Sequence, residues 1–147
     1  MEITIEGLEK MYQEYERLCE EQRKKNDEYL DIFENDLISK GFVPKTIRKH
    51  LQNVDFYINV YLLREEPLEM QQGCGFKIDM FLGDYFIRKC MWSTPGTIKT
   101  TAASIKKFYK CMLEYGHIKK DAYQAFCDLI KENIEEWQYE CAEYNNY

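Results

Sequence analysis

The chain has little of what interrupts regular structure. Three prolines and seven glycines among 147 residues, with 45% hydrophobic residues, argue against a disordered or linker-rich protein. The longest uninterrupted apolar runs are only a few residues long, far short of a membrane span. No segment alternates between apolar and polar residues with a period of two, so no strand is predicted. We therefore expect one all-α domain over residues 1–147, long enough to bury a core, in a cytoplasmic protein.

Residues that build metal or catalytic sites are also scarce. His50 and His117 are the two histidines, and the six cysteines, at positions 19, 74, 90, 111, 127 and 141, form no C-x-x-C pair. A structural zinc site needs ligands at short spacings, and a catalytic cysteine needs a base and an orienting group. We expect reduced thiols, no metal, no cofactor and no catalytic residue.

One short phrase occurs twice. The segment Pro44–Arg48, of sequence PKTIR, recurs 51 residues later as Pro95–Lys99, of sequence PGTIK. Proline suits the first turn of a helix, where its missing N–H is not needed, and the apolar residues that follow each copy have the 4-3-4-3 spacing of one buried stripe. Two helices of one design are predicted. Their stripes are Ile47, Leu51, Val54, Ile58 and Tyr61 in the first, and Ile98, Ala102, Ile105, Tyr109 and Met112 in the second.

Six helices are predicted in all. The first is acidic and covers about residues 6–25, and the second ends at Gly41, where a left-handed cap is favoured. The other four are a third from about Pro44 to Arg64, a shorter fourth that carries Ile78 to Phe86, a fifth from Pro95 to Tyr115, and a sixth over about residues 119–144.

Charge is distributed unevenly along the chain. The net charge of −6 divides into −6 for residues 1–40, +6 for residues 41–120 and −6 for the remainder. The basic segment, residues 41–120, contains both copies of the phrase. The side chains on the outer faces of the third and fifth helices are short, polar or basic, which suits an anionic partner. The eleven candidate residues are Lys45, Thr46, Arg48, Lys49, His50, Lys99, Thr100, Ser104, Lys106, Lys107 and Lys110.

The order of these parts resembles the N-terminal core-binding domain of tyrosine recombinases (phage integrases), a SAM-like four-helix unit that grips DNA. The resemblance covers about residues 27–117. Its motifs, in order, are Phe33 to Gly41, PKTI at 44–47, IDMFL at 78–82, and Thr97 to Gly116. It implies an orthogonal helical bundle in which the third and fifth helices of this chain face DNA. The acidic helices at about 6–25 and 119–144 are additions to the family pattern.

The chain also departs from that family. Strand cleavage there requires a C-terminal domain with arginines, a His-x-x-Arg pair and a tyrosine nucleophile, whereas only 30 residues follow His117 and the sequence HIKK at 117–120 ends in lysine. We therefore expect a non-catalytic DNA-binding module rather than an enzyme. Phosphate contacts are expected from Arg48, Lys49, Lys99 and Lys106, and any base reading from Lys45, Thr46, His50, Thr100 or Ser104.

The alternative is a helical protein-interaction module with no role in DNA binding. Helical bundles of the SAM-like kind also bind proteins, and the sixth helix carries an apolar stripe that a partner helix or a second copy of the chain would use. The stripe consists of Tyr123, Cys127, Ile130, Ile134 and Trp137. Such stripes are normally buried, so both terminal helices are expected to pack on each other or on the bundle.

Overall fold

The computed structural model of the chain describes residues 2–146 and is helical over most of that range, with no strand within it. The all-α prediction is confirmed. The helices, in chain order, are α1 (Ile5–Ser39), α2 (Pro44–Asp55), α3 (Lys77–Met80), α4 (Phe86–Lys89), α5 (Pro95–Glu114) and α6 (Lys120–Asn145). No helix in the described residues is both long enough and apolar enough to cross a lipid bilayer.

Two π-helical segments join or extend these helices. Phe56–Tyr61 continues α2, and Phe81–Tyr85 joins α3 to α4, so that α3 and α4 are the two ends of one continuous helix. Within the first segment the Leu62 amide donates to the carbonyl of Tyr57 at 3.0 Å, five residues back. A π-helical turn rotates the side chains relative to an α-helix. Here Tyr57 and Tyr61 are both fully buried.

The predicted left-handed cap at Gly41 is confirmed, and Gly116 adopts the same conformation. Gly41 and Gly116 follow the ends of α1 and α5 with φ angles of 82° and 81°. In each case the next amide reaches back into the last turn: Phe42 donates to Leu37 at 3.1 Å, and His117 donates to Met112 at 2.8 Å. These bonds satisfy carbonyls that the end of a helix leaves without partners.

The predicted break between the first and second helices is wrong, because α1 is one helix of 35 residues. Its middle is held by polar rather than apolar contacts. Asn26 is buried and donates through Nδ2 to Asn59 Oδ1 at 2.8 Å and to the Ile58 carbonyl at 3.2 Å, while Gln22 donates to Asn26 Oδ1 at 3.0 Å. Apolar periodicity does not reveal such a contact, which joins α1 to the π-helical segment that continues α2.

The two terminal acidic segments differ in how they pack. Ile5, Leu8, Met11 and Tyr12 of α1 are each more than half exposed, and contact with the bundle begins at Tyr15, whose hydroxyl donates to the Leu63 carbonyl. The expectation that the first helix packs on the rest of the chain is therefore wrong for the first turns of α1. The reason is length, since these turns extend past the end of the helix that begins with α2.

The expectation of burial is correct for α6, which packs on α5 and across the α3–α4 helix. Ile130 and Trp137 are buried, and Tyr123, Cys127 and Ile134 are partly buried. The stripe assigned to a partner helix thus lies against the chain's own core and is not an exposed surface. That core extends from α1 to α6, and its aromatic members include Phe33, Phe81, Phe108, Phe126 and Trp137.

Trp137 fixes α6 to the α3–α4 helix. Its indole Nε1 donates to Asp79 Oδ1 at 2.7 Å, and its ring lies against Gly83, where an added Cβ would come within 2.8 Å of Trp137 Cδ1. A side chain 2% exposed that also makes a hydrogen bond contributes both apolar burial and orientation to this contact.

Replacing Trp137 with alanine is expected to lower the free energy of unfolding by about 3–5 kcal/mol, because it leaves a large cavity and an unpaired Asp79 carboxylate. Replacement of the exposed Tyr12 with alanine is the matched control, with an expected change within about 0.5 kcal/mol. Urea denaturation followed by circular dichroism measures both. A Trp137→Ala chain as stable as the native chain would contradict the packing of α6.

Candidate functional site

The two helices that begin with the repeated phrase lie side by side. Each has a proline in its first turn, and α5 is further capped by Thr94 and Thr97, whose side chains accept from each other's backbone amides at 3.0 and 2.8 Å. Of the ten stripe residues predicted for these helices, nine are buried and Leu51 is partly buried. Both stripes face the core, so the predicted polar faces turn outward along the line where α2 meets α5.

A groove of about 760 Å³ follows this line, and we call it the basic groove. It brings together residues of the first copy of the phrase and residues of the turns that follow each copy. Seven of the eleven candidate residues line it: Lys45, Thr46, Arg48, Lys49, His50, Thr100 and Ser104.

Ser104 forms the floor of the basic groove rather than part of its rim. Its side chain was predicted on the outer face of α5, but the residue is 1% exposed. Its Oγ lies 2.8 Å from His50 Nδ1, accepts from Asn53 Nδ2 at 3.0 Å and donates to the Thr100 carbonyl at 3.1 Å. The prediction failed because α2 packs over this turn of α5, and a small hydroxyl allows that approach.

The contacts of Ser104 orient the His50 ring. The Ser104 hydroxyl has one proton, which either the Thr100 carbonyl or His50 Nδ1 accepts, and the tautomer of the ring depends on which of these contacts takes it. The ring lies between Phe33 and Phe42, with centroids 6.5 and 6.0 Å away.

Lys107 lies beside the basic groove and contacts Phe42. It is partly buried and does not line the groove; its Nζ lies 5.0 Å from the centroid of the Phe42 ring, a cation–π contact. Burial, and then the positive charge of Lys107, lower the pKa of His50 below its ordinary value of 6.5. His50 is accordingly neutral at pH 7.

The remaining three candidates, Lys99, Lys106 and Lys110, are exposed on α5 outside the basic groove. No lysine or arginine among the candidates has a carboxylate within 4.0 Å in residues 2–146, whereas Arg17, Lys40 and Arg88 are all paired with carboxylates. The positive charge of this surface is therefore not neutralised by neighbouring side chains.

An acidic groove of about 520 Å³ lies between α1 and α2 and adjoins the basic groove; it is lined by Asp27, Asp31, Glu34 and Asp55 among others. Gln52 lines both grooves, so it marks the boundary between surfaces of opposite sign. Sequence reasoning missed Gln52 and its neighbour Asn53. The available signal was their spacing, three and four residues after Lys49, which places them on the same side of the helix.

Comparison of the chain with protein-family models, with curated proteins and with solved structures finds no match. Function is therefore inferred from the basic groove itself and from the resemblance in the order of the helices.

The lowered pKa of His50 makes stability depend on pH. Below about pH 6.5 the unfolded chain takes up a proton at this position before the folded chain does, so the free energy of unfolding falls as the pH drops and levels off below the folded-state pKa. In a His50→Gln chain this contribution is absent. Urea denaturation at a series of pH values measures the free energy of unfolding. Between pH 6.5 and the folded-state pKa of His50, this free energy should fall less steeply with decreasing pH in the variant than in the native chain. Identical pH dependence in the two chains would contradict the assignment.

Proposed function

We propose that the chain is a non-catalytic DNA-binding module that holds the phosphates of a duplex along the basic groove. The observation that carries the proposal is the convergence of seven candidate residues from two separate segments on one groove. Three of them, Lys45, Arg48 and Lys49, are cations with no carboxylate partner in the described part of the chain. Phosphate contacts of this kind supply affinity that does not depend on base sequence.

Each side chain has a role that follows from its position. Arg48 and Lys49 are exposed cations that line the groove, and Thr46 offers a hydroxyl group to a phosphate oxygen. His50 lines the same groove, where its ring is placed to contact the edge of a base. Lys99, Lys106 and Lys110 extend the positive surface along α5, beyond the groove.

The acidic groove limits where a duplex is able to lie. Its carboxylates repel phosphates, and they lie between α2 and α1 rather than between α2 and α5. We infer that a duplex covers α5 and the adjacent side of α2 only. The overall charge of −6 opposes association while the local surface favours it, so the expected affinity is micromolar or weaker.

No strand-cleaving activity is part of the proposal. The Ser104 hydroxyl contacts His50 but is buried, so a phosphate in the basic groove does not reach it. We also propose that the protein resides in the cytoplasm. Its six cysteines form no disulfide in the described residues, which suits a reducing compartment.

A protein-interaction module is the second candidate, on a different surface from the one first assigned. The exposed apolar side chains of Ile5, Leu8, Met11 and Tyr12 on α1 favour it, with Glu9 and Glu16 beside them as partners for a basic helix. Such a module has no salt-dependent affinity for DNA, which distinguishes it from the first proposal.

Duplex DNA is expected to bind at about 50 mM salt, with a log–log slope of affinity against salt of about −0.9 for each phosphate neutralised. Arg48→Ala with Lys49→Ala should weaken binding and flatten the slope by about 1 for each cation removed. The matched control is Lys24→Ala with Lys25→Ala, which removes the same charge from an exposed part of α1. Fluorescence anisotropy measures all three chains. Absence of binding, or equal weakening in the two variants, would contradict the proposal.

Supercoiled plasmid incubated with the chain, with or without magnesium, is expected to be neither nicked nor relaxed, because the hydroxyl that contacts His50, that of Ser104, is buried. Agarose electrophoresis of the products measures this. Relaxed plasmid that tracks with the purified protein peak, and is absent with an Arg48→Ala chain, would show that the chain is an enzyme.

A further inference from the structure

The basic groove continues past Lys49 into a smaller pocket of about 290 Å³, which we call the aromatic pocket. Lys49, Gln52 and Asn53 line both, so the two are continuous. The rest of the lining consists of Phe56, Phe86, Trp92 and Thr101.

Trp92 is the exposed wall of the aromatic pocket. It lies in the turn between α4 and α5, and the residue is 58% exposed. The backbone of this turn is held firmly: Thr97 Oγ1 donates to the Trp92 carbonyl at 3.1 Å, and the next residue, Ser93, donates through Oγ to the Ile87 carbonyl at 3.2 Å. A rigid turn thus presents an aromatic face at little cost in conformational entropy.

The inner wall of the pocket is also aromatic. Phe56 and Phe86 meet the Trp92 indole edge to face, with ring centroids 6.0 and 6.4 Å away. These contacts fix the plane of the indole. Phe56 is only partly buried, so the pocket has an apolar floor that a flat ring can cover.

Hydrogen-bonding groups stand where the pocket opens into the groove. Asn53 uses Nδ2 on Ser104, which leaves its Oδ1 for another donor, and Gln52 is exposed. Side-chain amides pair with the edges of bases. Lys49, which lines both spaces, supplies a cation beside any ring bound in the pocket.

We propose that the aromatic pocket binds one unpaired nucleobase of a DNA strand whose phosphates lie in the basic groove. The inference rests on the proposed function and extends it, because it names distorted or partly single-stranded DNA as the preferred substrate. A nucleotide has a flat ring with hydrogen-bonding edges beside an anionic phosphate, and these match the aromatic walls, the two amides and Lys49 in that order.

The test compares a short fully paired duplex with the same duplex carrying one unpaired adenine. The native chain should bind the second at least about fivefold more tightly, the effect expected of one base stacked on an aromatic ring. Trp92→Leu should remove that preference and leave affinity for the paired duplex within about twofold, while Trp92→Phe should keep part of it. Met91→Ala is the matched control, since Met91 is fully exposed in the same turn and lines neither space.

Intrinsic fluorescence gives a readout that does not require a variant. The chain has two tryptophans, and Trp137 is 2% exposed, so quenching on binding reports on Trp92. We expect strong quenching by the duplex with the unpaired base and little by the paired duplex.

The outcomes separate the two proposals. Equal affinity for both duplexes, or absence of quenching when the second is bound, overturns the aromatic pocket and leaves the DNA-binding role intact. Failure to bind either duplex overturns both and favours a protein partner. A Trp92→Leu chain whose affinity falls equally for both duplexes also overturns the inference, because Trp92 would then not distinguish an unpaired base.

Discussion

The packing of α2 against α5 is the contact on which both the fold and the candidate site depend. Ser104 lies between these helices, and its hydroxyl joins His50, Asn53 and the backbone of its own helix in one partly buried network. A larger side chain would hold the two helices apart, and an apolar one would leave the Asn53 amide without a partner. The width of the basic groove therefore follows from one small polar residue beneath it.

The same use of polar groups at helix contacts recurs through the molecule. Asn26 joins α1 to Asn59 in the π-helical segment that continues α2, and Trp137 joins α6 to the α3–α4 helix through Asp79. In the connection after α2, the buried hydroxyls of Tyr57 and Tyr109 donate to the carbonyls of Gly73 and Met70, each at 2.7 Å. Such bonds are directional, so they specify how the helices are oriented where apolar packing alone would tolerate sliding.

Gly73 shows how closely that connection is packed. A Cβ at this position would lie 2.4 Å from the Tyr109 hydroxyl and 2.8 Å from Leu62 Cδ1, both inside van der Waals contact. The requirement for glycine here is therefore one of space. Gly41 and Gly116 are required for a different reason, since each has a positive φ and open space around it. The cap at Gly41 is predicted from the sequence, whereas only the tertiary packing shows why position 73 is glycine.

Local patterns were sufficient for α2, α5 and α6, and they placed the exposed cations Arg48, Lys49, Lys99, Lys106 and Lys110 on outer faces. Spacing, proline positions and capping residues act within a few residues of the backbone, which is why α2, α5 and α6 were predicted from the sequence. The burial of Ser104 and the continuity of α1 through Gln22 and Asn26 were not, because each depends on a partner distant in sequence. Charge pattern identified the anion-binding candidates, but only the tertiary structure decided which of them share a groove, since that depends on how close α2 and α5 pack.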